Sequence, residues 1–413
     1  MLNRNNKFWF TLYKDVFVSF NSEKTILLYH TINGKSLIVL NDRCIEIVKD
    51  IYAPSNLGVI DLESLNLDNE VSYFISETIK LGIALTVEKS INPMKPINLL
   101  PILNLQNDIE KLKNNGEVDL IGEHIAEYLT SISIFINSEC KQSCKDCYSY
   151  YKQTLFCTKS LKGSSIPIET VEDVLFQSAS TQVKRINILG GNITLYPCWN
   201  ELLILLNEHF FDFHLWFNLQ NINDFNYLIN LPYHKEILVA QPLNMDRLES
   251  LISLVEMRND FTFNFIVEDE IVLKEINELI GRINQINCTL FPFYNGLNIN
   301  FLKNNVFLNE SDILSETIEM RSIFCNQKLN SNFFGSLCFL PDGSVKANIN
   351  SRSLGNFPDK SVLELIYEEL ITNTAWRNVR SGDKCSSCMF RYLCPPPGNL
   401  ELVLGRQNLC HVI

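Results

Sequence analysis

Cys140-Lys141-Gln142-Ser143-Cys144-Lys145-Asp146-Cys147-Tyr148 places three thiols within eight residues, directly after the β-branched, apolar run at 131–136. A strand that ends in a short cysteine loop can bring three thiolates onto one ion or cluster at little closure cost. Iron–sulfur clusters take four thiolate ligands, so a set of three leaves one iron open to something else.

Outward from that loop, strand patterns alternate with helical ones. Strand-like runs at 131–136, 185–189, 214–219, 236–240, 262–267 and 289–294 are interleaved with helical periodicity at 169–178, 199–209, 246–255 and 274–285. Such units call for a parallel sheet, closed or partly closed, with helices over its outside. In parallel α/β folds the chemistry gathers at the C-terminal ends of the strands. The cysteine loop follows the first strand at that end, and Gly190-Gly191-Asn192 follows the second. Past about residue 320 the alternation stops and cysteines return. Cys325 and Cys338 precede a Pro341-Asp342-Gly343 turn in a hairpin-like segment at 337–349, and a helical stretch at 361–371 leads to Cys385, Cys388, Cys394 and Cys410.

Upstream, residues 1–90 read as a small α+β unit of winged-helix type. Strand runs at 8–13, 16–20, 25–29 and 36–39 precede a helix capped at Asn41-Asp42, a second helix at 71–81 and a strand at 83–87. The unit has no basic recognition face, but an exposed strand edge could accept a peptide as an extra strand. A structural cap is the plainer alternative. Residues 91–125, with Pro93, Pro96, Pro101 and a charged helix-like stretch at 108–114, read as a linker.

Length and composition bound the rest. A chain of 413 residues suggests about two or three domains. With 46% apolar and 20% charged residues it is globular, and a net charge of −12 argues against a nucleic-acid partner. The N-terminus lacks the apolar core of a signal peptide, and no run of about 18 apolar residues would span a membrane. The expected location is the cytoplasm, where disulfides are rare, so thirteen cysteines need another use. Cys44, Cys198 and Cys288 are simplest as small buried hydrophobes, while the clustered ones are metal candidates. Zinc with a fourth ligand from elsewhere would also suit Cys140, Cys144 and Cys147. Cys157 is near enough to supply a fourth ligand or a catalytic thiol, or to be a plain buried one.

The three-plus-two spacing after the first strand resembles the CxxxCxxC loop of the radical S-adenosylmethionine (SAM) superfamily, and Gly190-Gly191-Asn192 resembles its GGE-type motif. Cys385-x2-Cys388-x5-Cys394 with Cys410 resembles an auxiliary-cluster ligand set of the SPASM domain of radical SAM peptide maturases. The resemblance implies a partial (β/α)6 parallel barrel at 126–315, with a winged-helix-like peptide-recognition module at 1–90, the linker at 91–125 and a SPASM-like auxiliary-cluster domain at 316–413. It implies a SAM-binding [4Fe–4S] cluster on Cys140, Cys144 and Cys147, SAM held by Gly190, Gly191, Asn192 and Asn218, and an auxiliary [4Fe–4S] cluster on Cys385, Cys388, Cys394 and Cys410. The implied activity is modification of a ribosomally synthesised precursor peptide through a 5′-deoxyadenosyl radical. Three positions depart from the pattern: Asp146 replaces an aromatic residue, Asn192 replaces the glutamate, and Pro395-Pro396-Pro397-Gly398 stands where another auxiliary-site cysteine belongs, leaving Cys325 and Cys338 as relics. These departures keep open a non-catalytic relative that binds the peptide or a second maturase protein.

Overall fold

Strict alternation along the central strands decides which side of the sheet is covered. In the computed structural model, which describes residues 7–20, 24–65, 67–100, 125–154, 157, 159, 165–283 and 286–412, Phe213, Leu215 and Phe217 point into one large core while His214, Trp216 and Asn218 point to the opposite face. The strands are β7 (Ser131–Asn137), β8 (Arg185–Gly190), β9 (Asp212–Asn218), β10 (His234–Val239), β11 (Phe261–Val267) and β12 (Asn287–Pro292), all parallel to their neighbours and in chain order across the sheet. Before them come β1 (Phe8–Leu12), β2 (Val16–Ser19), β3 (Ile26–His30), β4 (Ser36–Val39), β5 (Ile60–Asp61) and β6 (Ala84–Glu88).

Crossover helices cover one face. After α1 (Asp42–Tyr52) and α2 (Asn69–Lys80) in the N-terminal unit, the chain forms α3 (Cys147–Thr154), α4 (Ile168–Ser178), α5 (Trp199–Asn207), α6 (Phe225–Asn230), α7 (Met245–Val255) and α8 (Glu270–Arg282). Val171, Leu202, Leu251 and Ile276, one from each longer crossover helix, are at most 1% exposed against the sheet. Asparagine and aspartate cap these helices: Asn244 accepts from Arg247 N, and Asp269 from Val272 N, so α7 and α8 begin ahead of the expected 246 and 274.

The C-terminal hairpin does not stand apart from this sheet. β13 (Ser336–Phe339) adds to the free side of β7 in parallel, followed by antiparallel β14 (Ser344–Lys346) and β15 (Gly355–Asn356). Asp342 and Gly343, with φ +82°, make the turn, and Ser344 N donates to Asp342 Oδ1 at 3.0 Å. The remaining helices are α9 (Ile299–Asn305), α10 (Glu310–Leu314), α11 (Met320–Lys328), α12 (Val362–Thr372), α13 (Asp383–Ser386) and α14 (Asn399–Leu404).

The N-terminal unit is two antiparallel three-stranded sheets, ordered β5-β1-β6 and β2-β3-β4, packed with α1 and α2 around their own core. The cap of α1 is Asn41, whose side chain accepts from Arg43 N and Cys44 N. Residues 91–100 run back over this unit, where Asn98 Nδ2 donates to Leu12 O at 2.7 Å. The helix-like stretch at 108–114 lies outside the described residues. No helix among the described residues is long and apolar enough to cross a membrane.

One buried carboxylate locks α12 to the sheet. Glu369, fully buried, accepts from the backbone N–H groups of Thr374, Ala375 and Trp376 at 2.8–3.0 Å, and Trp376 Nε1 then donates to Ser336 O on β13 at 3.0 Å. Glu369→Ala would orphan three donors, at roughly 3 kcal/mol or more. We expect a clearly lower denaturation midpoint followed by tryptophan fluorescence, with Glu369→Gln retaining part of the loss.

Candidate metal centre

Two backbones meet closely at the C-terminal rim. Gly191 N donates to Asn137 O at 3.0 Å, Asn192 N donates to Glu139 O at 2.6 Å, and Asn137 Nδ2 returns a bond to Asn192 O at 2.8 Å. A Cβ on Gly190 would sit 2.7 Å from Asn137 O, and one on Gly191 would sit 2.3 Å from Glu139 O. The glycines therefore clear space for the strand end that launches the cysteine loop, one residue before Cys140. Asn192 turns its amide oxygen back on its own turn, accepting from Thr194 N at 3.2 Å and Thr194 Oγ1 at 2.9 Å.

The loop is pinned on further strand ends. Gln142 Nε2 donates to Gln220 O at 3.0 Å after β9, and Lys145 pairs with the buried Glu268 after β11 at 2.7 Å. Asp146 takes a left-handed φ of +56°, a conformation that short polar side chains tolerate better than aromatic ones, and its carbonyl accepts from Ser149 N at 2.9 Å. Residue 147 then opens α3.

Amides and a fourth thiol surround the sulfurs. Asn221 Nδ2 donates to Cys140 Sγ at 3.4 Å and Asn218 Nδ2 to Cys144 Sγ at 3.7 Å. The Cys157 thiol lies close to both Cys140 and Cys147. Its proton, with help from Asn221, the Gln142 backbone and the Lys159 charge and against burial, pulls Cys140 down to about 5. The same donor, then Lys159, brings Cys147 to about 7, whereas Cys157 is pushed far up by giving its proton to both neighbours and by burial. Cys144 is raised by burial and by the other two thiols. Tyr150, Leu238, Ala240, Ile266 and Phe293 pack an apolar wall against Cys157, Cys144 and Cys147. Outside Cys144 lies an open cleft of about 520 Å³, lined by Gln142, Ser143, Gln220 and the loop 241–246. Gly190, Gly191 and Asn192 do not line it.

The second group also converges. Burial raises the Cys388 and Cys394 thiols, and Cys385 and Cys410 lie near enough to add to the rise; Cys394 is pushed up to about 12, against the Arg380 charge. Cys388 N donates to Cys385 O at 3.1 Å, and Cys410 is delivered by a parallel bridge to Leu308. Cys338 instead packs as an apolar residue among Phe135, Leu189, Leu340 and Ile349, its thiol pushed up to about 12 by burial. The Pro396 and Pro397 carbonyls accept from Asn332 and Asn330 at 3.1 and 2.9 Å.

The thiols stand farther apart here than one bound zinc ion would hold them. Tetrahedral zinc would hold sulfurs roughly 3.8 Å apart, from Zn–S bonds of about 2.3 Å. Among the described residues no three thiols gather within 4.8 Å of one another; His214, His234 and Glu236 do. Yet the Glu236 oxygen facing His214 at 2.8 Å also accepts from Arg185 Nη2 at 2.8 Å. A guanidinium there makes the trio a hydrogen-bonded plug on the inner face, not a cation site. Burial would raise the Glu236 pKa, but bonds from His214 and Asn264 and the Arg185 charge outweigh it and lower it.

Asn221 is absent from the residues expected to matter, although Asn218-x2-Asn221 at a strand end offers that signal. Cys157, for which a plain buried thiol was one reading, comes to the centre of the site.

No protein-family model matches the sequence, and no curated protein matches it. Among solved structures the chain is similar to Streptococcus suis SuiB, at 14% identity over 96% of this chain and 97% of that one, with a TM-score of 0.49. It is similar to SuiB bound to precursor peptide SuiA, at 14% over 97% of each chain and TM-score 0.44. It is similar also to native anSMEcpe with bound AdoMet, at 15% over 64% and 88% and TM-score 0.44. With these scores under 0.5, the weight falls on the chain's own residues.

Gly191→Ala should destabilise by about 1–3 kcal/mol, because backbone rather than a flexible side chain blocks the new methyl. It should also lower iron uptake on anaerobic reconstitution. Gly281→Ala in α8, with nothing within 4 Å, should be neutral or stabilising by about 0.5–1 kcal/mol with iron unchanged. Thermal melts and iron counts on the pair check both.

Proposed function

We propose that this chain is a radical-SAM-type peptide maturase, with a [4Fe–4S] cluster on Cys140, Cys144 and Cys147 and an auxiliary cluster on Cys385, Cys388, Cys394 and Cys410. The observation that carries the reading is the convergence of the first three thiols at the C-terminal rim of a parallel sheet, beside a cleft of about 520 Å³. When bound, the cluster and SAM would supply an electron and a 5′-deoxyadenosyl radical able to take hydrogen from a ribosomally made peptide.

The chain's own residues do the rest. Asn221 and Asn218 donate to the Cys140 and Cys144 sulfurs and stabilise negative charge there. Tyr150 and Phe293, edge-on at 4.8 Å, exclude water from the inner side of the site. Gly190, Gly191 and Asn192 brace the loop, and on this reading they and the Asn218 amide hold SAM. Residues 1–90 serve as the winged-helix-like recognition module, 126–315 as a partial barrel and 316–413 as the SPASM-like domain, in a cytoplasmic protein. A recognition role gains support from the seat of that module: Phe17, Leu27 and Tyr29 pack on Ile313, Ile323, Phe390 and Leu393, against the second cysteine group.

A second reading is favoured by one observation. The Asn192 amide oxygen is already spent on Thr194, so the SAM ammonium would find no charged and no free acceptor there. A non-catalytic partner that binds peptide or an active maturase follows from that.

Anaerobic reconstitution with iron and sulfide should give a brown protein with two clusters, and Cys140→Ser/Cys144→Ser/Cys147→Ser should remove one. With dithionite and SAM the wild type should form 5′-deoxyadenosine. A loaded cluster without that product, together with tight peptide binding in calorimetry, supports the partner reading; a colourless protein holding zinc sinks both.

A further inference from the structure

We infer that Cys157 is the fourth thiolate of the cluster held by Cys140, Cys144 and Cys147, closing the corner that SAM would need. The inference rests on the iron–sulfur reading of that loop and deepens it.

Position is the first argument. Cys157 lies ten residues beyond Cys147, past the end of α3, yet it packs in the same apolar cluster as Cys144 and Cys147. It is 7% exposed, and that cluster brings Cys144, Cys147 and Cys157 to one space beside the loop that carries Cys140. Backbone conformation is the second. Cys157 holds φ at +30°, outside the regions that a non-glycine residue prefers. A thiol that merely fills space has no need of that backbone. Access is the third. The open cleft borders Cys144, whereas Cys157 sits on the closed side among Tyr150, Leu238 and Phe293. The inner corner is therefore served by protein sulfur, and a small ligand must come from the cleft and displace it.

The chemistry balances simply. Ligation exchanges the Cys157 S–H bond for an Fe–S bond, releases one proton to solvent and moves no electron. Displacement by the amino and carboxylate groups of SAM runs it backwards, with the thiol regaining its proton.

The full chain, reconstituted anaerobically as wild type, Cys157→Ala and Cys157→Ser, tests this without any turnover assay. An iron and sulfide count first establishes that the loop cluster is loaded; its absence from wild type overturns the iron–sulfur reading and this inference with it. Loaded protein is then oxidised mildly with ferricyanide, which strips an iron lacking a thiolate and leaves a three-iron cluster visible by electron paramagnetic resonance. Wild type should resist and the variants should convert. SAM titrated against the reduced cluster signal should bind the variants at least tenfold more tightly than wild type. Ready conversion of wild type overturns the assignment even if neither variant folds, and so do equal SAM affinities with the cluster loaded.

Discussion

The close approach of two main chains at the sheet's rim governs the rest of the molecule. Glu139 O lies where a Gly191 Cβ would be, and the Asn137 main chain lies where a Gly190 Cβ would be. Because the obstacles are backbone atoms, no rotamer change relieves them. With two bare α-carbons, β7 and β8 can stay hydrogen-bonded to the last residue and still send their continuations across one another. That crossing sets the direction in which the chain leaves β7, and hence where residues 140–147 begin. Gln142, Lys145 and the two asparagines then tie the loop to strands already fixed by the sheet.

The inner face of the sheet is graded along the strands. Near the N-terminal ends, Arg185, His214, Glu236 and Asn264 satisfy one another. Trp216 bridges the layers, its indole N–H on Asn187 at 3.1 Å and its ring among the apolar residues above. Toward the C-terminal ends the lining becomes Phe135, Leu189, Leu238, Ala240 and Ile266. A polar floor that is fully paired has no appetite for water, and an apolar upper wall keeps the local dielectric low. Charge on the thiolates is then felt strongly by the few donors that reach them.

Much of this was readable beforehand because it depends on short-range periodicity. Residues 131–136 and 262–267 are β-branched or aromatic runs between turn residues, and each forms a strand close to those limits. Asn41 announces a helix start that the structure keeps. What lay beyond reach depends on where the chain returns. Nothing local says that Leu337 will pair beside Ile132, two hundred residues away. The hairpin at 337–349 therefore looked like part of a separate extension, yet it continues the main sheet. The same limit applies to Cys157, whose spacing from Cys147 fits a thiol on either side of α3. Only the tertiary position of the segment decides. Asn221 is different: its i,i+3 relation to Asn218 across a short turn was local and could have been used.

The two cysteine groups differ in what surrounds them, and the difference follows from how each is built. Cys140, Cys144 and Cys147 stand on one loop at the mouth of a cleft, with amides and a lysine charge near the sulfurs. Cys385, Cys388 and Cys394 belong to a compact turn-rich segment, and Cys410 reaches them only through the bridge at Leu308. Closing that set ties the end of the chain to residues a hundred positions earlier, and the core of Phe390 and Leu393 then receives Phe17, Leu27 and Tyr29 of the N-terminal unit. Tyr29 adds a direct link, its hydroxyl accepting from Ile318 N at 2.8 Å. Loss of the C-terminal thiols would therefore loosen the seat of the N-terminal module before it disturbed the first loop. The second group joins Cys410 to the segment at Leu308, and the first borders the open cleft.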